Sequence, residues 1–320
     1  MPKPRSGELR FDGRVAVVTG AGGQRSLGRA YAHLLASRGA KVVVNDLGVG
    51  PDGRGAKRAS ADIVAEEIAV AGGAAIADDH SVADSGSAAA IVQRAVGEWG
   101  RLDILINNAG VSWPAPFDEM SESDLQAVIG VHLMGTIWTC RASWPQMKRQ
   151  GYGRVVNIAS GGMHGLANVS IYGAAKAGIH ALSRALAVEG AEHGILVNCV
   201  LPRAYTEAVE MSMADSEYRR SLMGGGPEQV AATIGYLAHE SCTLTGKALQ
   251  SGRGRISELF SSNTAGFAYQ SEAELAPETV AGQLETILNR SDAIPVPEVT
   301  APGRRGITPV ANDDAAVRPN

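Results

Sequence analysis

The sequence predicts an α/β protein built on a doubly wound, seven-stranded parallel sheet with helices on both faces. Three observations predict it. Short apolar runs rich in β-branched residues alternate with segments of helical periodicity along most of the chain. Those runs are apolar throughout, as strands covered on both faces must be. The first of them ends in a glycine-rich turn that opens a helix.

Taken in order, RVAVVTG, Arg14 to Gly20, is the first strand. The turn GAGGQRSLG, Gly20 to Gly28, feeds RAYAHLLASRG, where Ala30, Leu34 and Leu35 recur at helical spacing before Gly39 stops the helix. KVVVND is the second strand. Helical pattern follows at Ala59 to Ala71, strand at Ala74 to Asp78, helix at Ser85 to Trp99, and a strongly apolar strand in LDILINNAG, Leu102 to Gly110. A long helical region spans Ser123 to Lys148. Then come the strand RVVNIAS, a helix carrying Tyr172 and Lys176, the strand in ILVNCVLP and a last strand in GKALQSG. Residues 8–260 read as one domain. Residues 261–320 read as a C-terminal extension with one helix at Pro277 to Asn289, then a tail rich in Pro, Gly and Asp that is expected to be flexible.

With 45% apolar residues, a chain of 320 can bury the core of one full α/β domain. The net charge is only −4, from 29 Lys and Arg scattered among 33 Asp and Glu, which argues against a nucleic-acid or membrane-surface protein. No apolar run reaches the roughly 18 residues of a membrane span, and MPKPRSGELR lacks the apolar region of a secretion signal. The chain is therefore expected to be soluble and cytoplasmic. Cys140, Cys199 and Cys242 lie far apart without any Cys-x-x-Cys or Cys/His cluster. They read as packing residues, and neither a disulfide framework nor a metal site is expected.

Ligands of doubly wound sheets bind beyond the carboxyl ends of the strands. The Gly20 turn, Asp46, Asn107, Asn108, Ser160 and Pro202 all fall there. Glycines permit close approach of the backbone and a helix N-terminus favours negative charge, so the turn suits a pyrophosphate. Asp46 ends the second strand, 18 residues after Gly28, where a carboxylate can bind adenosine ribose hydroxyls. It would repel a ribose 2′-phosphate and so favours NAD over NADP. Arg25 can offset that repulsion in part, and a plain turn residue is the competing reading of Asp46. Tyr172 and Lys176, four apart in an Ala-rich segment, share one helix face. A cation beside a phenol, whose ordinary pKa is about 10, favours the phenolate and makes Tyr172 a usable proton acceptor or donor. Ser160 is placed to meet the same substrate oxygen, its alternative being a hydroxyl that caps local backbone.

TGAGG, NNAG at Asn107 to Gly110, Ser160, the YGAAK segment and NCVLPRAYT at Asn198 to Thr206 together resemble the short-chain dehydrogenase/reductases, in family order, over Glu8 to Glu258. More narrowly, LGRAYA, VVVNDLG, VHLMG and HESC followed by TG resemble the dehydrogenase domain of the peroxisomal multifunctional β-oxidation enzymes and their bacterial single-domain relatives. The resemblance implies a Rossmann-type fold and an NAD-dependent oxidoreductase interconverting a secondary alcohol and a ketone by hydride transfer, with a 3-hydroxyacyl-CoA-like substrate. It implies that Ser160 hydrogen-bonds the substrate oxygen, Tyr172 takes its proton, and Lys176 lowers the Tyr172 pKa and holds the nicotinamide ribose. For the cofactor it implies Gly20, Gly22, Gly23, Leu27 and Gly28 in the turn, Asp46 and Leu47 after the second strand, and Ser81 and Val82 near the adenine. Asn108, Ala109 and Gly110 would lie along the cofactor, with Pro202, Tyr205 and Thr206 toward the nicotinamide. A homodimer or homotetramer, built through the helices bearing His132 and Tyr172, is implied as well.

Two departures from the family pattern stand out. His132 in VHLMG occupies the place of an Asn that fixes a water relaying protons from the lysine. An imidazole can bind water and pass protons near neutral pH, and a packed helix histidine is the other reading. Gln24, Arg25 and Ser26 replace a single residue before Leu27. They either add a donor to the pyrophosphate or bulge into solvent. On the substrate side, Trp113, Pro114, Phe117, Met163, Leu166, Met211, Met213, Leu222 and Met223 suggest an apolar pocket under a lid. Arg219 and Arg220 in that lid read as a solvated face. Three functions remain: a 3-hydroxyacyl-CoA dehydrogenase, a dehydrogenase of a steroid, terpenoid or other apolar cyclic alcohol, and a non-catalytic dinucleotide-binding protein.

Overall fold

Val15–Thr19 (β1) is buried along its whole length and divides its side chains between two cores, Ala16 and Val18 in one, Val15 and Val17 in the other. The same period of two splits Val42 and Val44 from Val43, and Ile104 and Ile106 from Leu105. Layers on both faces of one sheet follow directly. A computed structural model describes residues 7–55, 60–212, 217–269, 271 and 275–296. After β1 come α1 (Leu27–Ser37), β2 (Lys41–Asn45), α2 (Ser60–Val70), β3 (Ala74–Asp78), α3 (Ser85–Trp99) and β4 (Ile104–Asn107). α4 (Glu122–Ile129), α5 (Gly135–Gln150), β5 (Gly153–Ile158), α6 (Ser170–Ala191) and β6 (Ile195–Pro202) follow, then α7 (Glu207–Ser212), α8 (Glu217–Leu222), α9 (Pro227–Ala238), β7 (Ala248–Gly252) and β8 (Arg255–Leu259).

The strand order is β3-β2-β1-β4-β5-β6-β7-β8, with β1 to β7 parallel. Tyr31, Leu35, Val64, Ile68, Ile234 and Leu237 bring α1, α2 and α9 onto one face; Ile91, Met147 and Ala187 bring α3, α5 and α6 onto the other. The strand order runs outward from β1 through β2 and β3 on one side and from β4 onward on the other, so a ligand crevice opens at this switch point beyond the carboxyl ends of β1 and β4.

The structure differs from the sequence pattern in three places. β8 is an eighth strand, antiparallel to β7, returned by Arg253 and Gly254 with φ of 54° and 71°. Two positive φ values in a two-residue turn are what a tight hairpin requires. The long helix over Ser123 to Lys148 is two helices joined by a π-helical turn at Gly130–Met134, which holds His132. The helix over Pro277 to Asn289 is α10 (Pro277–Gly282) and α11 (Leu284–Leu288), broken at Gln283, and a two-residue pairing joins β9 (Ser262–Asn263) to β10 (Ile294–Pro295). Met213 and the tail from 297 onward lie outside the described residues. Among the described residues no helix is long and apolar enough to cross a membrane, and no His, Cys, Asp and Glu group could hold a metal.

Candidate active site

Thr19 ends β1 with its hydroxyl turned toward β4, where Oγ1 accepts the backbone N–H of Asn108 and of Ala109, each at 3.0 Å. The Asn108 amide donates back to Thr19 O at 3.0 Å and Gly20 O at 2.9 Å. These bonds draw the end of β4 onto the glycine turn. A Cβ on Gly20 would lie 2.7 Å from Ala109 Cα, and one on Gly28 would lie 2.4 Å from Gly20 O and 2.6 Å from Asn108 Nδ2. Only glycine fits there. Ser26 caps α1 by accepting the Arg29 N–H at 3.2 Å, with Leu27 opening the helix. Gly22 N–H donates to Asp46 Oδ2 at 2.7 Å, while Asp46 Oδ1 accepts from Gly48 N–H at 2.8 Å and from the Ser60 hydroxyl at 3.2 Å. The carboxylate is therefore fixed at the rim of the turn, beside half-buried Leu47. Ser81 Oγ accepts the Ala83 N–H at 3.1 Å, and Val82 is buried against Gly135 of α5. A backbone cradle that any side chain would fill, a helix N-terminus and a carboxylate at the end of β2 fit a dinucleotide.

Ser160 leaves β5 in extended backbone, and its Oγ accepts the Gly162 N–H at 3.1 Å. Two residues into α6, Tyr172 turns its ring back toward it. A Cβ on Gly162 would lie 3.3 Å from Tyr172 Cε1 and 3.6 Å from Ser160 Oγ, so hydroxyl and phenol flank one small space that glycine keeps open. Lys176 is buried one turn further along, with Nζ donating to Ile158 O at 2.6 Å and standing 5.6 Å from the Tyr172 ring centre. Burial pushes its pKa down to about 8.

His132 meets Tyr172 edge to face, ring centres 5.1 Å apart. Its Nε2 lies 2.7 Å from Val111 O and 3.2 Å from Val111 N, and buried Nδ1 has no hydrogen-bond partner among the described residues. Burial, reinforced by the Lys176 charge, pushes its pKa down to about 3, so the ring is neutral. The shorter contact assigns the proton to Nε2 and leaves Nδ1 as an acceptor. A Cβ on Gly110 would meet this imidazole at 2.4 Å, which ties the NNAG segment to the π turn.

At the end of β6, half-buried Pro202 leads to Tyr205, whose N–H donates to Gly225 O at 2.8 Å, and to Thr206, whose hydroxyl accepts the Val209 N–H at 3.3 Å and caps α7. Arg219 of α8 donates to the Tyr205 hydroxyl at 3.2 Å, a contact the solvated-face reading does not contain. Arg25 pairs with Glu210 of α7 and not with Asp46. Phe117, Leu166, Met211 and Met223 are exposed, Leu222 is buried, and Trp113 lies under the Arg54 guanidinium at 4.7 Å. The structure thus gathers Ser160, Tyr172, Lys176 and His132 in one cluster, and Gly20, Gly22, Gly28, Asp46, Asn108 and Ala109 in another. Sequence reasoning missed Thr19 and Ser60. Thr19 is signalled by its place before Gly20, whereas Ser60 meets Asp46 only through the fold.

The sequence profile of the short chain dehydrogenase family matches residues 14–218. The peroxisomal multifunctional enzyme type 2 of Drosophila melanogaster is 42% identical over 254 residues, 79% of this chain and 41% of that protein. This chain spans well under half the length of the first multifunctional relatives it matches. A short chain dehydrogenase from Mycobacterium avium superposes with a TM-score of 0.74 at 35% identity, covering 92% of this chain and 99% of its own. A 7α-hydroxysteroid dehydrogenase complexed with NADH and 7-oxo glycochenodeoxycholic acid superposes with a TM-score of 0.68 at 27% identity, covering 78% of this chain and 96% of its own. With its parallel sheet, its glycine turn and this likeness in hand, the chain belongs to the short-chain dehydrogenases, Rossmann-type oxidoreductases that act on CH–OH groups with a nicotinamide dinucleotide.

Proposed function

We propose that this enzyme uses NAD and oxidises the hydroxyl of a 3-hydroxyacyl-CoA-like substrate, or runs the reverse reduction. The observation that carries the chemistry is the space at Gly162, flanked by Ser160 Oγ and the Tyr172 ring and backed by buried Lys176 and His132. Ser160 holds the substrate oxygen. Tyr172, held as the phenolate by the ammonium of Lys176, takes the hydroxyl proton and becomes the neutral phenol as the hydride leaves the carbinol carbon. When bound, the nicotinamide supplies the hydride acceptor. His132 is neutral, with Nδ1 a buried acceptor that has no hydrogen-bond partner among the described residues; with a pKa near 3 it does not store a proton.

Asp46 supports NAD, because a 2′-phosphate would meet a fixed carboxylate, and Arg25, the cation able to soften that encounter, is engaged by Glu210. The likeness to the fly multifunctional enzyme supports an acyl-CoA substrate. A second reading, an apolar cyclic alcohol, is supported by the hydroxysteroid dehydrogenase and by Phe117, Leu166, Met211 and Met223, which leave apolar surface on the segments beyond the strands. A homodimer or homotetramer and a cytoplasmic location belong to the same proposal. The test is cofactor absorbance with NAD and with NADP on 3-hydroxyacyl-CoA esters, hydroxysteroids and small cyclic alcohols. Turnover of the esters with NAD is expected; turnover of free alcohols alone would replace the first reading with the second.

A further inference from the structure

The inserted residues of the glycine turn face in two directions. Ser26 turns inward, its hydroxyl donating to Gly23 O at 3.0 Å and accepting the Arg29 N–H. Arg25 turns outward onto the segment after β6. Its carbonyl accepts the N–H of Glu207, the first residue of α7, at 3.1 Å. Its guanidinium pairs with Glu210 on the same helix and stands 5.2 Å from the centre of the Tyr205 ring. One residue of the phosphate-side turn therefore touches the lid at three points, two of them on α7. Arg25 and Glu210 side chains are each 48% exposed, so the ion pair is weak and reversible.

We infer that Arg25 is a positioning residue that couples cofactor binding to closure of the lid over the substrate. Ordering of Gly20–Gly28 around a pyrophosphate fixes the Arg25 carbonyl and guanidinium together, and these dock α7 and Tyr205. The coupling is reciprocal: whatever closes the lid tightens the turn. The inference rests on the dinucleotide reading of the turn, and its test separates the two. Hydrogen exchange of a peptide covering residues 205–212 is followed in the full chain with and without saturating NADH, while NADH affinity is measured by fluorescence. NADH should slow exchange about tenfold in the wild type, within the usual range of coupling between sites. In Arg25→Ala and in Glu210→Gln the slowing should shrink by about two- to fivefold, the range of an exposed ion pair, while the Arg25 carbonyl keeps its bond to Glu207; it should return when Arg25→Glu is combined with Glu210→Arg. Equal slowing in the wild type and both single variants would overturn the coupling while leaving cofactor binding intact. Absence of NADH binding to the wild type would overturn both. Glu210 lies on an exposed face, so Glu210→Gln carries the test even if Arg25→Ala disturbs the turn.

Discussion

Lys176 and His132 lie in one buried neighbourhood, and each is pushed toward its neutral form by loss of water. For His132 the consequence for stability has a definite sign. Its ordinary pKa is 6.5 and its folded pKa is about 3, so between these values the unfolded chain binds a proton that the folded chain does not. Stability then falls as pH falls from about 6.5 toward 3, by up to about 1.4 kcal/mol per unit. His132→Asn should flatten this slope by about one proton in urea unfolding between pH 7 and 4.5; parallel slopes would show that the imidazole is protonated in place at little cost. Tyr172→Phe removes the proposed proton acceptor and keeps the ring. Turnover should drop by about 10²–10⁴-fold or more with NADH affinity unchanged, and a variant that keeps its rate would assign the proton transfer elsewhere. Ser160, Tyr172 and Lys176 could be read from sequence because strand end and helix spacing fix their places. The state of His132 could not: its single engaged nitrogen depends on Val111 and its neutrality on burial, both products of the fold.

At the scale of elements, the glycine turn is the segment whose sequence states its physics most directly. Gly28 sits where α1, β1 and the end of β4 converge, and its replacement by Ala would drive a methyl into Gly20 O and the Asn108 amide. Gly28→Ala should cost about 1–3 kcal/mol, the usual range for overpacking, and weaken NADH binding at least about tenfold as the turn shifts. Thermal denaturation with an NADH titration measures both, and a variant with wild-type affinity would detach the turn from the cofactor. The inner parallel strands β1, β2, β4, β5 and β6 are likewise plain, because burial on both faces writes a largely apolar run. β8 is not, since an edge strand with three of its five residues exposed carries no such run. The π turn at Gly130–Met134 is also silent. A single inserted residue leaves helical periodicity nearly intact, yet it carries the histidine whose ring fills the space beside Gly110.

Across the whole molecule, the residues proposed for the cofactor come from both sides of the switch in strand order between β1 and β4. The glycine turn and Asp46 follow β1 and β2, while Asn108 follows β4 and Lys176 lies in α6. A ligand held by both halves stabilises the entire sheet and not one loop. NADH at 100 times its dissociation constant should add about 2.7 kcal/mol, or roughly 5–10 °C in a domain of this size, as one shifted transition. NADPH at the same concentration should shift it less, because its 2′-phosphate faces the Asp46 carboxylate, which the N–H groups of Gly22 and Gly48 hold in place. In Asp46→Ala the repulsion is gone and so is the ribose acceptor, so the two shifts should converge, NADH falling and NADPH rising. Calorimetry of the wild type and this variant with each cofactor decides the matter. Equal shifts in the wild type would remove Asp46 as the basis of cofactor choice, and a shift confined to part of a split transition would mean that the cofactor bridges less of the sheet than its carboxyl edge allows.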